Sequence, residues 1–210
     1  MQLLLTGILF MTFVLAISKR LGAMIGAFRA QSLFLFFTTL YLAMKGRDIE
    51  IYIVAFLLLS VKVIAIPRLL SRMVKRIKAE GAAGLFVNPT LSIFIAMFLT
   101  YLSYLFTRRI MPFADRAQGE AVIISLAVTL IGLFIMVSRM KAISQIVGLL
   151  VMENGLFLVA SSVSGGMPFF VEIAIFFDIF VCVIILGMFV YKINKVFTHI
   201  DVNKMRELKG

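Results

Sequence analysis

Four polar side chains stand where an apolar helix would bury them. Gln31, Lys62, Glu153 and Asp178 each lie in the middle of a long hydrophobic run. Two carboxylates and an ammonium in one low-dielectric layer have two uses. They neutralise one another as a lock on helix packing, or they trade protons or ions along a path through the layer. A nearby ammonium favours the ionised form of a carboxylate and desolvation favours the protonated form, so a small helix movement switches between them. Glu172, near the start of its run, is either an exit-side carboxylate or a wetted interfacial group. The candidate path residues are therefore Glu153, Asp178 and Lys62, with Glu172 and Gln31 as accessories.

Other chemistries lack their residues. The single cysteine, Cys182, is inside an apolar run, and the single histidine, His199, is in a polar tail, so the chain offers no metal cluster of its own. The formal net charge of +11 raises the question of nucleic acid, but the basic residues sit at the ends of apolar runs, where they meet lipid headgroups. No nucleic-acid partner is expected.

The elements that hold these groups follow from composition. Of 210 residues 62% are hydrophobic and 15% charged, with a mean hydropathy of +1.10, a membrane composition. Spanning helices need roughly 20 apolar residues. Runs at 2–18, 21–44, 50–70, 89–106, 120–138, 142–163 and 168–191 meet or approach that length and predict an all-α polytopic membrane protein of about seven transmembrane helices. Continuous rather than alternating apolar runs exclude barrel strands. The first run reads as a retained helix, because Lys19 and Arg20 follow it, whereas a signal peptide carries its basic region first. Of the 21 Lys and Arg residues, fourteen fall on one side of this topology and five on the other. The bias predicts an outer N-terminus and a cytoplasmic C-terminus in the inner membrane.

At about 1.5 Å of rise per residue, Gln31, Lys62, Glu153 and Asp178 all fall roughly 15–18 Å from a helix end, near the bilayer midplane. Glu172 is only about 6 Å from the outer boundary. Arg29, about 12 Å from the inner end of its helix, is expected to snorkel inward.

An internal repeat explains why polar groups recur at one depth. Gly26 and Gln31 have the spacing of Gly148 and Glu153, and Lys62 and Arg76 have that of Asp178 and Lys192. Helices 1–3 and 5–7 would then be parallel repeats joined by helix 4. The resulting division is 1–80, a first three-helix unit; 81–118, a linking helix with its loops; 119–196, a second three-helix unit; and 197–210, a polar cytoplasmic tail.

Several segments carry a family resemblance. They are Ala30-Gln31-Ser32-Leu33, Lys62-Val63 with Pro67, Gln145 to Gly155 with Met152-Glu153-Asn154-Gly155, Val171-Glu172-Ile173 with Asp178, and Asp201-Val202-Asn203 with Leu208-Lys209-Gly210. In this order, over nearly the whole chain, they resemble hydrogenase-4 component E, a membrane subunit of formate hydrogenlyase-type [NiFe]-hydrogenase complexes. The last third also resembles the small K-type subunit of respiratory complex I, which has an intramembrane acid on each of its last two helices. Asp178 matches the final-helix acid, and Glu153 stands on the middle helix a few residues later than the family spacing. The resemblance implies a non-catalytic subunit that helps couple electron transfer to proton or sodium movement. Antiporter-like membrane subunits and a hydrogenase peripheral arm would be its partners, and those partners would hold the [NiFe] centre and iron–sulfur clusters. An assembly scaffold of the same complex, or a subunit of a multi-subunit cation/proton antiporter, are the alternatives.

Overall fold

Without water to satisfy backbone groups, an apolar chain in lipid closes its hydrogen bonds within helices. The computed structural model describes residues 1–46, 49–76, 86–111 and 116–163, and these residues form helices with short connections and no strand. In chain order they are α1 (Gln2–Ile17), α2 (Leu21–Gly46), α3 (Ile49–Leu58), a π-helical segment (Leu59–Ala65), α4 (Ile66–Arg76), α5 (Pro89–Ile110), α6 (Arg116–Ser138) and α7 (Ala142–Val163). Five spans among the described residues are long and apolar enough to cross a membrane: Leu21–Gly46, Ile49–Lys75, Pro89–Ile110, Ala117–Ser138 and Ala142–Ser162. The chain is an all-helical, multi-pass membrane protein. α1 is apolar but shorter, at 16 residues. The run expected at 168–191 lies outside the described residues.

Packing is inverted relative to a water-soluble bundle. On α5 the small residues Ser92, Ala96, Ser103 and Thr107 are buried, whereas Phe94, Phe98, Tyr101 and Phe106 face outward. Small inward residues let helix backbones approach where lipid, not water, competes for the outer face. The Ser103 hydroxyl donates to the Ile123 carbonyl of α6 at 2.6 Å, fixing that approach. Pro89 opens α5, where its missing N–H costs no helical bond.

α1, α2, α6 and α7 form the centre, with α5 against α1 and α6, and the α3–α4 rod against α2. The tightest pair is α6 with α7. A Cβ on Gly148 would meet the Met136 backbone nitrogen at 2.5 Å, and one on Gly132 or Gly155 would collide with the backbone of Met152 or Thr129. Only glycine permits this contact, and it holds the middle of α7 in place.

The third span departs from a plain helix. Residues 49–76 run continuously, but 59–65 are wound as a π-helix, with the Ile66 N–H bonded to the Val61 carbonyl. Pro67 supplies the reason. Within a helix its ring clashes with the carbonyl four residues back, here Val63, and it has no N–H to offer that oxygen. Widening the preceding turn relieves both problems. Lys62 sits inside the widened turn.

Candidate functional site

The π-helical segment delivers Lys62 into the bundle, where it is fully buried. Its ammonium donates to Glu153 Oε1 and to Asn154 Oδ1, both on α7 and both at 3.1 Å. Asn154 Nδ2 donates in turn to Gln31 Oε1 on α2 at 3.3 Å. Gln31 Nε2 donates to the Thr12 hydroxyl on α1 at 2.7 Å, and that hydroxyl donates to the Ile8 carbonyl, also at 2.7 Å. Ser32 Oγ lies at 3.5 Å from Asn154 Nδ2, the outer limit of a hydrogen bond. A continuous polar chain thus crosses the bundle from Glu153 through Lys62, Asn154 and Gln31 to Thr12. Thr12, Gln31, Lys62 and Asn154 have essentially no exposed surface, and Glu153 is 4% exposed.

Burial decides what this arrangement is worth. An ion pair removed from water loses several kcal/mol of hydration per ion, and attraction offsets that only with good geometry and added hydrogen bonds. Here the amide of Asn154 supplies a second acceptor for the ammonium and spreads its charge along the chain. Chemically the layer can hold a charge, pass a proton between the Glu153 carboxylate and the Lys62 ammonium, and orient both through the neutral amides of Asn154 and Gln31. Among the described residues it pairs no nucleophile with a base. Among the described residues no three His, Cys, Asp or Glu side chains stand together as a metal site.

A second buried cation has a different role. Arg139, in the α6–α7 connection, is 1% exposed. Its guanidinium donates to the carbonyls of Ser18 at 2.9 Å, Leu15 at 3.1 Å and Ala16 at 2.8 Å. These are carbonyls at the end of α1, which ends at an extended Ser18 whose N–H reaches only the Leu15 carbonyl, so the guanidinium supplies donors to the Ala16 and Ser18 carbonyls. A positive group there also meets the negative end of the helix dipole. Desolvation lowers the Arg139 pKa from its ordinary value, although an arginine stays protonated at physiological pH.

Comparison with known proteins adds one relative. Over 166 residues the chain is 30% identical to the uncharacterized protein Rv0085 of Mycobacterium tuberculosis, an alignment covering 79% of this chain and 76% of the mycobacterial one. The chain belongs to the Rv0085 family. No family model matches it, and no solved structure matches it.

In this Rv0085-family chain the structure brings together three of the residues singled out by depth: Gln31, Lys62 and Glu153. Asp178 and Glu172, and with them Cys182 and His199, lie outside the described residues. Arg29 is exposed on α2, away from the buried chain. Asn154, Thr12 and Arg139 were not anticipated as site or capping residues. Asn154 had an available signal, since it adjoins Glu153 at the same depth. Arg139, at the end of an apolar run, is buried as a cap on α1.

Proposed function

We propose that the protein is a membrane-arm subunit of a hydrogenase-4 or formate hydrogenlyase-type complex, coupling electron transfer to proton or sodium movement. The observation that carries this reading is the buried Lys62–Glu153 pair, continued through Asn154 and Gln31 to Thr12. Buried ionisable groups in a membrane bundle are costly and commonly mark ion or proton pathways. Glu153 accepts and releases the proton, Asp178 is the next carboxylate on the path, and Lys62 is the charge partner. The π-helical turn around Lys62 is the adjustable element, because such turns interconvert locally and recur at functional sites.

The proposal includes seven helices, an outer N-terminus and a cytoplasmic C-terminus in the inner membrane. Antiporter-like subunits and a peripheral arm bearing the [NiFe] centre and iron–sulfur clusters are the partners. The resemblance of the segments around Gln31, Lys62 and Glu153 to hydrogenase-4 component E supports these statements.

A second reading, an assembly scaffold of the same complex, is favoured by the bridging role of Asn154, which ties three spans together as a static lock would. Tagged protein purified in mild detergent separates the possibilities. Co-purifying antiporter-like chains with nickel and iron support the hydrogenase reading, and antiporter chains without nickel point to a cation/proton antiporter. Within an intact complex, Glu153→Gln and Asp178→Asn should leave assembly unchanged and weaken ion movement. Full coupling in both variants would sink the path, and loss of the complex would favour the scaffold.

A further inference from the structure

The N-terminal part of α2 and the rod formed by the π-helical segment and α4 leave a half-open groove of about 330 Å³ between them. Gly22, Gly26 and Arg29 line one wall at helical spacing, and Arg68, Ser71 and Arg72 line the other. The three arginines and both glycines are exposed. No lining residue is acidic, and none of the three guanidiniums is ion-paired with a described side chain. The glycines leave the α2 backbone bare: a Cβ at Gly22 or Gly26 would meet nothing within 4 Å.

Position identifies the ligand's chemistry. Both walls belong to apolar spans, Leu21–Gly46 and Ile49–Lys75. Arg29 lies eight residues inside the first of these, roughly 12 Å from its end. A guanidinium at that depth on a lipid-facing wall is costly unless it meets an anion or reaches the interface. Arg68 and Arg72, one turn apart, continue the positive charge towards the surface, and the Ser71 hydroxyl adds a neutral donor. Ile25, Val63 and Pro67 complete the lining with apolar surface. We infer that this groove binds an acidic phospholipid. Its phosphate is held by Arg68, Arg72 and Ser71, Arg29 reaches towards the same headgroup, and an acyl chain lies along the glycine wall. Guanidinium groups suit phosphate because their forked donors match two phosphate oxygens. A freely dissolved phosphate shares the headgroup chemistry but has nothing to place against Ile25 and Val63.

The test uses the full chain in detergent micelles doped with phosphatidylglycerol, with phosphatidylcholine, or with inorganic phosphate in the buffer. Native mass spectrometry reads retained lipid and thermal unfolding reads the shift. Phosphatidylglycerol should be retained and raise the melting temperature, whereas phosphatidylcholine and inorganic phosphate should not. Each arginine near a membrane surface contributes on the order of fivefold to binding an acidic lipid. Arg29→Gln with Arg68→Gln should therefore weaken retention roughly 25-fold, while Arg109→Gln, on α5, should leave it unchanged. Gly26→Leu gives an independent measure, because a Cβ at this position meets nothing within 4 Å and the longer side chain intrudes on the glycine wall. It should remove the lipid-induced shift while leaving the lipid-free melting temperature within a degree or two. Equal retention of both lipids, a full shift from inorganic phosphate alone, or an unaltered lipid response in Gly26→Leu would each overturn the assignment.

Discussion

Lys62 donates to the Asn154 amide oxygen at the same 3.1 Å at which it meets Glu153, so one ammonium is shared between a charged and a neutral acceptor on adjacent residues of α7. Adjacent helical positions point about 100° apart, and one group can reach both only from the side. The π-helical turn supplies that approach. The ion pair is thus one half of a three-centre contact, and its other half leads on to α2 and α1.

Breaking one half should be worse than removing the pair. Lys62→Met removes the ammonium that faces Glu153 inside the bundle and should destabilise the protein by about 3 kcal/mol. The double variant Lys62→Met/Glu153→Leu should recover most of that loss, since an apolar replacement of a buried pair is often neutral. Thermal or denaturant unfolding of the purified chain measures both, and a double variant less stable than the single one would contradict the ion-pair account.

Asn154 should matter more than its neutral chemistry suggests. Asn154→Leu deprives the Lys62 ammonium of one acceptor and the Gln31 carbonyl of its donor, at a cost of about 1–3 kcal/mol. Thr12→Val, at the end of the chain, removes the acceptor of Gln31 Nε2 together with the hydroxyl's own bond to the Ile8 carbonyl, which keeps its helical partner, and should cost about 1 kcal/mol. The ordering of the two unfolding curves is the test.

Much of this layer is legible in the sequence, and its neutral partners are less so for physical reasons. Helical rise is uniform enough that counting residues placed Gln31, Lys62 and Glu153 at a common level, and they meet there. Nothing in Leu59 to Ala65 announces a π-helix; only Pro67, beyond it, provides a motive. Asn154 carries no charge to mark it, although it stands beside Glu153 at the same depth. Arg139 reads from sequence as a loop cation, whereas in the fold it is buried and turns back under α1.

Gly148 and Gly26 should respond oppositely. Gly148→Ala drives a Cβ against the Met136 backbone and should cost about 1–3 kcal/mol through overpacking. Gly26→Ala meets nothing and should be neutral or stabilising by up to about 1 kcal/mol through helix propensity. Paired melting curves decide it; equal losses in the two variants would show that the α6–α7 contact is looser than described.

At Arg139 shape should count as much as charge. Arg139→Gln leaves at least two α1 carbonyls without their donor and should destabilise by on the order of 2–3 kcal/mol. Arg139→Lys keeps the charge but loses the fork that reaches Leu15, Ala16 and Ser18 together, so it should rescue only part of the loss. Hydrogen exchange at the end of α1, compared among the three proteins, reports on the cap directly.

The π-helical turn also makes chain length a determinant of the site. A π turn accommodates about one residue more than an α turn. Deleting a single residue between 59 and 65 would let the rod settle into an ordinary helix. The helix on either side would keep its facing, because the π turn absorbs its extra residue within a single turn. What changes is the facing inside the turn, where Lys62 sits, while the arginine wall of α4 stays in place. In this segment a one-residue gap between relatives would therefore mark a change of geometry at Lys62 more surely than a substitution, even with every polar side chain retained.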